Sequence, residues 1–421
     1  MVAARFLLLG YSLFASALWA QPIPSRSRSA AAPVTFNRQI IRIVQQNCQV
    51  CHRPGEIGPF SMMSYREVLP YARAIKAETQ ARRMPPWKPV AGFGEFRGER
   101  RLTQGQIDLI ARWVDSGAPE GNPLDLPAPV VFSDQWTLGT PDLVLEPDRD
   151  FQVPGEGRDI YRCFSIPIQL SENRYVAGVE IRPGSRSVLH HVLLFQDSFG
   201  VSAPAAKAAD SQPGYDCFGG PGFLPTSAFG GWAPGNRPEM LPEGMGIRAT
   251  PGARLVIQAH YHPSGTPQTD RTRVGLFFAR GPVRSEYLYL PLLNTRFTIP
   301  AGDPAYTVTA SFTVPPLVRA RAISVTPHMH LLGRQMKVEA VYPDGARRPL
   351  IFIDDWDFDW QDTYYFKDPI PLPPLTRLEL TAVYDNSSSN PRNPNSPPRD
   401  MRWGEQTTDE MCLAAIGFTL E

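Results

Sequence analysis

The stretch Arg254-Leu255-Val256-Ile257-Gln258-Ala259-His260-Tyr261-His262 reads as a β-strand. It is short, rich in β-branched and aromatic side chains, and set between Pro251-Gly252 and Pro263. Residues i and i+2 of a strand share a face, so His260 and His262 point the same way. Similar runs recur at Tyr175 to Ile181, His190 to Phe195, Tyr287 to Leu293 and Arg377 to Tyr384, with Pro and Gly between them. Strands spaced roughly every ten to twenty residues predict β-sandwich architecture, and the chain has room for two sandwiches, over 140–283 and 284–421. Proline fits this reading: 45 of 421 residues is about twice the usual fraction, and proline is kept out of helix interiors. A faint echo between Leu189-His190-His191-Val192-Leu193-Leu194 and Pro327-His328-Met329-His330-Leu331-Leu332 suggests duplication.

Upstream the pattern changes. Residues 35–122 read as mainly helical, with helices over Phe36 to Gln46, Tyr65 to Arg83 and Leu102 to Ser116. Thr103 can cap the last, and Gly117 ends it. Between the first two lies Cys48-Gln49-Val50-Cys51-His52, the attachment pattern of a c-type haem. Two thiols add to the haem vinyl groups and the adjacent imidazole takes the iron. No second histidine lies in this segment, so a methionine is the natural sixth ligand. Met84, in Arg83-Met84-Pro85-Pro86-Trp87, is the candidate, with Met62 and Met63 as rivals. Residues 35–122 resemble small class I cytochrome c domains, which implies one-electron transfer. Pro-rich residues 123–139 form a linker.

Residues 1–20 read as a signal peptide: Arg5, an apolar run from Phe6 to Trp19, and Ala20 before Gln21. A polar linker, 21–34, follows. No later stretch has 18 apolar residues, so no membrane span is expected after cleavage. The expected destination is the periplasm or the exterior. Of the five cysteines, two belong to the haem motif. Cys163, Cys217 and Cys412 remain, and Cys163 with Cys217 is the only pairing entertained. Charge is balanced, 42 Lys+Arg against 41 Asp+Glu, which gives no sign of a nucleic-acid partner.

The seven histidines are distributed unevenly. Besides His52 they fall in three groups: His190-His191, His260-x-His262 and His328-x-His330. His190 and His191 would face apart on a regular strand, so joint ligation needs a bend or bulge there. Histidine-rich sites with few carboxylates favour copper or zinc, and a haem on the same chain favours redox-active copper.

On these residues the region from about 140 onward resembles the copper type II monooxygenases, the family of peptidylglycine α-hydroxylating and dopamine β-monooxygenases. The matching segments come in one order. They are Asp159-Ile160-Tyr161-Arg162-Cys163, Leu189 to Phe195, Gly230 to Gly235 with Leu241 to Gly244, Gln258 to Pro263, Pro327 to Gly333, and Asp409-Glu410-Met411-Cys412. The resemblance implies two jelly-roll sandwich domains and two copper ions. His190, His191 and His260 would hold an electron-storing copper. His328, His330 and Met411 would hold the catalytic copper that binds O₂; soft sulfur at Met411 suits Cu(I). His262 has no ligand role in the family and reads as a supporting or structural residue. Gln258 is implied on the path between the coppers. Thr326 and Ala415 stand where the peptide-hydroxylating members carry an arginine and a tyrosine for the peptide carboxylate, so a peptidylglycine substrate is not expected.

The expectation is therefore a haem- and copper-dependent monooxygenase acting on a small molecule with O₂. Electrons would pass from an external one-electron donor, ascorbate or a redox protein, through the haem to the His190/His191/His260 copper. The rival is a non-catalytic electron-transfer or copper-binding protein. A third reading has the haem accepting electrons from a substrate oxidised at copper.

Overall fold

The architecture is that of a computed structural model, which describes residue 1 and residues 33–421, apart from 55, 57, 133–135, 209, 210 and 235 and the side chains of 207 and 208. The expected signal peptide and nearly all of the linker after it lie outside the described residues. Among the described residues no helix is long and apolar enough to cross a membrane.

The helical unit begins with a π-helical turn, Phe36–Ile40, continued by the α-helix Ile41–Asn47. The helices Tyr65–Val68, Ala72–Gln80 and Gln104–Asp115 follow. The last opens with a capping box, in which Thr103 Oγ1 accepts from Gln106 N while Gln106 Oε1 accepts from Thr103 N. This satisfies two N–H groups that the helix itself cannot pair. Phe36, Ile40, Val44, Val68, Ile107, Ile110 and Trp113 form the core. Each such buried side chain contributes about 1.5–3 kcal/mol. Phe36 N and Asn37 N donate to Pro119 O and Glu120 O, which ties the two ends of the unit together.

Residues 85–101 carry no helix. They leave the helical core and pack on the C-terminal half of the chain. Val90 N donates to Phe352 O (2.8 Å), Arg97 N to Tyr365 O (2.8 Å), and Lys367 N to Glu95 O (2.9 Å). Phe96 is buried in the core of that half, with Trp87 against it. The three helical stretches read from the sequence are thus present, joined by a long apolar strap that the sequence reading had assigned to the helical unit alone.

The rest is mainly β-structure, with a short helix at Ser202–Ala208. One eight-stranded sheet runs in the order Leu143–Leu145, Arg273–Phe278, Arg174–Arg182, Met245–Ala249, Ser285–Leu293, Leu413–Leu420, Ala320–His328, Tyr364–Leu372. Its first four strands face a five-stranded sheet, ordered Tyr215–Asp216, Ile160–Pro167, Arg254–Tyr261, Leu189–Asp197, Ser227–Trp232. Its last four face a four-stranded sheet containing Gly333–Val341 and Arg377–Tyr384. Two apolar cores fill the two sandwiches. The halves join by the short parallel pairing of Ser285 and Glu286 with Met245 and Gly246. The boundary expected near residue 284 therefore falls within one continuous sheet. The β-layers agree with the expected fold class at the level of β-sandwiches.

Arg254–Tyr261 is the central strand of its sheet and is buried along almost its whole length. One face meets the sandwich core. The other is covered by Tyr161, Tyr215 and the Cys163–Cys217 disulfide. Cys412 is buried and free, and Cys48 and Cys51 are not bonded to each other.

Candidate functional site

Strand register brings His190, His191 and His260 together. The strands Leu189–Asp197 and Arg254–Tyr261 pair with a shift between Leu189 and His191, so that Leu189 faces Tyr261 and His191 faces His260. His190 is the extra residue of a bulge. This is the irregularity that two adjacent imidazoles need to converge. His190 Nδ1 and His191 Nδ1 are 3.2 Å apart, and His260 Nδ1 is 3.2 Å from His191 Nδ1. Nitrogens at that separation, each roughly 2.0–2.1 Å from one ion, subtend about 100° at it. The three residues offer ligand atoms that all lie within 4.8 Å of one another, a spacing that fits one metal ion.

The remote ring nitrogen of His260 faces a carboxylate. Nε2 lies 3.1 Å from Asp159 Oδ2, close but off the ring N–H axis. Asp159 comes opposite because Ile160 pairs with Tyr261. Its other oxygen bonds His262 Nδ1 at 2.7 Å, and Thr407 Oγ1 donates to Oδ2. Burial alone would raise the Asp159 carboxyl; its contacts with His260, Thr407 and His262 hold it well below the ordinary value instead. A carboxylate at Nε2 leaves Nδ1 of His260 for metal. Tyr161 stacks on the His260 ring (4.3 Å, 10°). His262 is two-thirds exposed and stands outside the converging trio. Gln258 is buried, its Nε2 donating to Cys217 O at 3.1 Å.

His328 and His330 lie at and just beyond the end of Ala320–His328. His328 Nδ1 contacts Gln361 Oε1, and His330 Nδ1 contacts Asp409 O at 3.2 Å. Both acceptors are carbonyl oxygens, so both rings donate through Nδ1 and keep Nε2 free. The two groups therefore use opposite ring nitrogens. The Met411 backbone comes close to this place because Leu413 pairs with His328. Glu410 fixes the approach: its buried carboxylate accepts from His330 N (3.0 Å), Leu332 N (2.7 Å) and Met411 N (3.1 Å). Burial pushes Glu410 up to about 8, against the pull of these three donors.

The two groups face each other. The rings of His191 and His328 are 6.3 Å apart between centroids. Phe358 stacks on His190 (4.7 Å) and meets His330 (5.7 Å). Burial, with the field of neighbouring imidazoles, lowers His190 to about 3 and holds His191 and His330 far below the ordinary value. Burial lowers His328 to about 4 against the bond to Gln361. At neutral pH these four rings are uncharged, the state in which imidazole binds metal.

In the helical unit, His52 Nδ1 contacts Phe60 O at 3.1 Å. The carbonyl fixes the proton on Nδ1 and leaves Nε2 for iron. Two free thiols and an imidazole so oriented fit a covalent haem. Cys48 packs against the helical core, and Cys51 lines a cavity of about 700 Å³ between the helical unit and the sandwiches. Met84 is 41% exposed and does not line that cavity. Met62 is buried, and its N–H donates to His52 O at 2.9 Å.

Sequence reasoning did not single out Asp159, Gln361, Glu410 or Phe358 for a role at the site. Asp159 and Glu410 stand inside quoted motifs, so a motif position was their only signal. Gln361 and Phe358 gave none, since both reach the site from a loop remote in sequence.

No protein-family profile matches the chain. Among curated proteins, DBH-like monooxygenase protein 1 of Homo sapiens is 24% identical over 297 residues, covering 64% of this chain and 46% of that protein. Its counterpart in Gallus gallus is 24% identical over 301 residues, covering 64% and 45%. Peptidyl-glycine alpha-amidating monooxygenase A of Xenopus laevis is 32% identical over 136 residues, covering 30% and 14%. The chain thus spans less than half the length of these relatives. By name, all three of these relatives are monooxygenases. Among solved structures, the major capsid protein P2 of bacteriophage PM2 aligns over 66% of this chain and 97% of its own at 12% identity, with a TM-score of 0.28, too low to bear on function.

Proposed function

We propose that this protein is an exported copper-dependent monooxygenase that hydroxylates a C–H bond of a small molecule with O₂ and draws single electrons through its own c-type haem. The observation that carries the reading is the pair of facing histidine groups, one converging through Nδ1 and the other free through Nε2. His190, His191 and His260 would hold one copper; His328, His330 and Met411 would hold the second, where O₂ reacts. Copper in such sites supplies one-electron storage and O₂ activation. Cys48, Cys51 and His52 would carry the haem, and the axial thioether would come from Met84 or from its rivals Met62 and Met63. The chain's own residues orient the site. Asp159 and Gln361 set which ring nitrogens face the metals, Glu410 holds the Met411 backbone beside His330, and Phe358 packs against the rings of His190 and His330.

The substrate is argued from Thr326 and Ala415. They are direct partners across two strands, and Thr326 Oγ1 bonds Thr363 Oγ1 at 2.8 Å. Neither is cationic, so this pair offers no charge to a carboxylate, which favours an uncharged small molecule over a peptide terminus. The same two positions favour the second reading, a non-catalytic electron-transfer or copper-binding protein.

Metal analysis of the full chain from a copper-replete, haem-maturing host tests the proposal. The expected result is one haem and two coppers, falling towards one copper in Met411→Ala, with substrate-dependent O₂ uptake in the parent. Zinc or no copper would overturn it. Two coppers with no O₂ uptake across a broad substrate panel would support the non-catalytic reading.

A further inference from the structure

Among the described residues the helical unit does not close over its own Cys-x-x-Cys-His loop. Cys48 faces the helical core, but Cys51 opens on the 700 Å³ cavity, most of whose wall belongs to the two sandwiches. That volume lies within the range of cofactor sites. The acidic residues on the wall are engaged. Glu56 pairs with Arg53 (2.8 Å) and Arg186 (2.5 Å). Glu180 pairs with Arg182 (3.1 Å) and accepts from Thr137 N and Leu138 N. Asp362 pairs with Arg100, and Glu239 with Arg97 (3.9 Å). Arg237 differs: it is exposed on this wall and forms no hydrogen bond or ion pair among the described residues. Arg100 and Arg237 are the cations whose fields act most strongly on the Cys51 thiol.

A haem fixed at Cys51 brings two carboxylates, which need cationic or hydrogen-bonding partners when they leave water. The helical unit contributes one arginine to the cavity, Arg53, already bonded to Glu56. We infer that the haem ring extends into this cavity, that the sandwiches complete its chamber, and that Arg237 is the cation that binds a haem carboxylate. The inference rests on the covalent-haem reading of Cys48, Cys51 and His52. It makes Arg237 a residue that tunes the haem, because a cation beside the ring favours the reduced state.

The test uses the haem-loaded full chain as wild type, Arg237→Gln, Arg237→Lys and Arg273→Gln. Arg273 lines the same cavity but lies over the Trp136 ring. Covalent haem is counted first from the alkaline pyridine spectrum. Each protein is then poised at the wild-type midpoint potential and its ferrous-to-ferric ratio is read. In Arg237→Gln the ratio should fall roughly three- to tenfold, where tenfold is about 59 mV for one electron. In Arg237→Lys and Arg273→Gln it should stay within twofold. A ratio within twofold in Arg237→Gln overturns the inference, as does an equal fall in Arg273→Gln. A wild-type chain without covalent haem sinks the reading of the motif instead.

Discussion

Replacing Asp159 by alanine isolates what a single carboxylate does for the His190/His191/His260 centre. The side chain touches neither the converging nitrogens nor Met411. It holds the far nitrogen of His260 at 3.1 Å and, through its other oxygen, His262 at 2.7 Å. Without it, His260 can turn its ring or move its proton to Nδ1, and either change removes one of three ligands. Loss of such a partner costs roughly 10–100-fold in metal affinity, or about 1.4–2.7 kcal/mol. Competition against a copper chelator should show one of two coppers weakened by that factor, with the His328/His330/Met411 copper unchanged. Asp159→Asn, which keeps an acceptor oxygen but not the charge, should lie between wild type and Asp159→Ala. Two coppers bound within threefold of wild type in the alanine variant would refute the reasoning. So would an equal loss at both centres, which would mean general unfolding.

Three further changes probe the frame. Glu410→Ala strands three buried N–H groups and should cost roughly 2–5 kcal/mol in denaturant unfolding, with loss of the second copper; a stable variant holding both coppers would contradict the role of its carboxylate. Cys163→Ser with Cys217→Ser opens a 54-residue separation, and the loop-entropy relation puts the loss at about 4 kcal/mol; unchanged thermal unfolding would count against it. Burial would raise the Asp357 carboxyl, but Lys88 and Arg392 more than offset this and hold it below the ordinary value. A lowered carboxyl gives stability that is present above its unfolded value and is lost as pH falls through the folded one. Asp357→Asn should therefore flatten the fall in stability on acidification from pH 5 to 3, and an unaltered acid limb would rule that out.

Local pattern made much of this protein legible. Cys48-Gln49-Val50-Cys51-His52 lies within five consecutive residues, and Thr103 with Gln106 within one helical turn. The alternation at Arg254–His262 and the histidine spacings declared strands and pairs of imidazoles. Even the need for a bulge at His190 followed from the parity of a strand. The disulfide was only a weak candidate, since cysteine count alone does not choose partners.

Other features were illegible for a common reason. The strap at 85–101 reads as part of the helical segment, yet its Phe96 is buried, and its Trp87 partly buried, against strands more than 250 residues later. Apolar side chains say that they will be covered and do not say by what. Asp159, Gln361 and Glu410 are ordinary polar residues in sequence. Register places Asp159 against His260 and a loop returns Gln361 to His328, while the last strand carries Glu410 to His330. The sequence by itself determined residue types, periods and the chemistry of short motifs, because those depend on neighbours along the chain. Only the tertiary structure decided which nitrogens converge, which proton each ring keeps and which cation meets the Cys51 cavity, because those depend on contacts made through space.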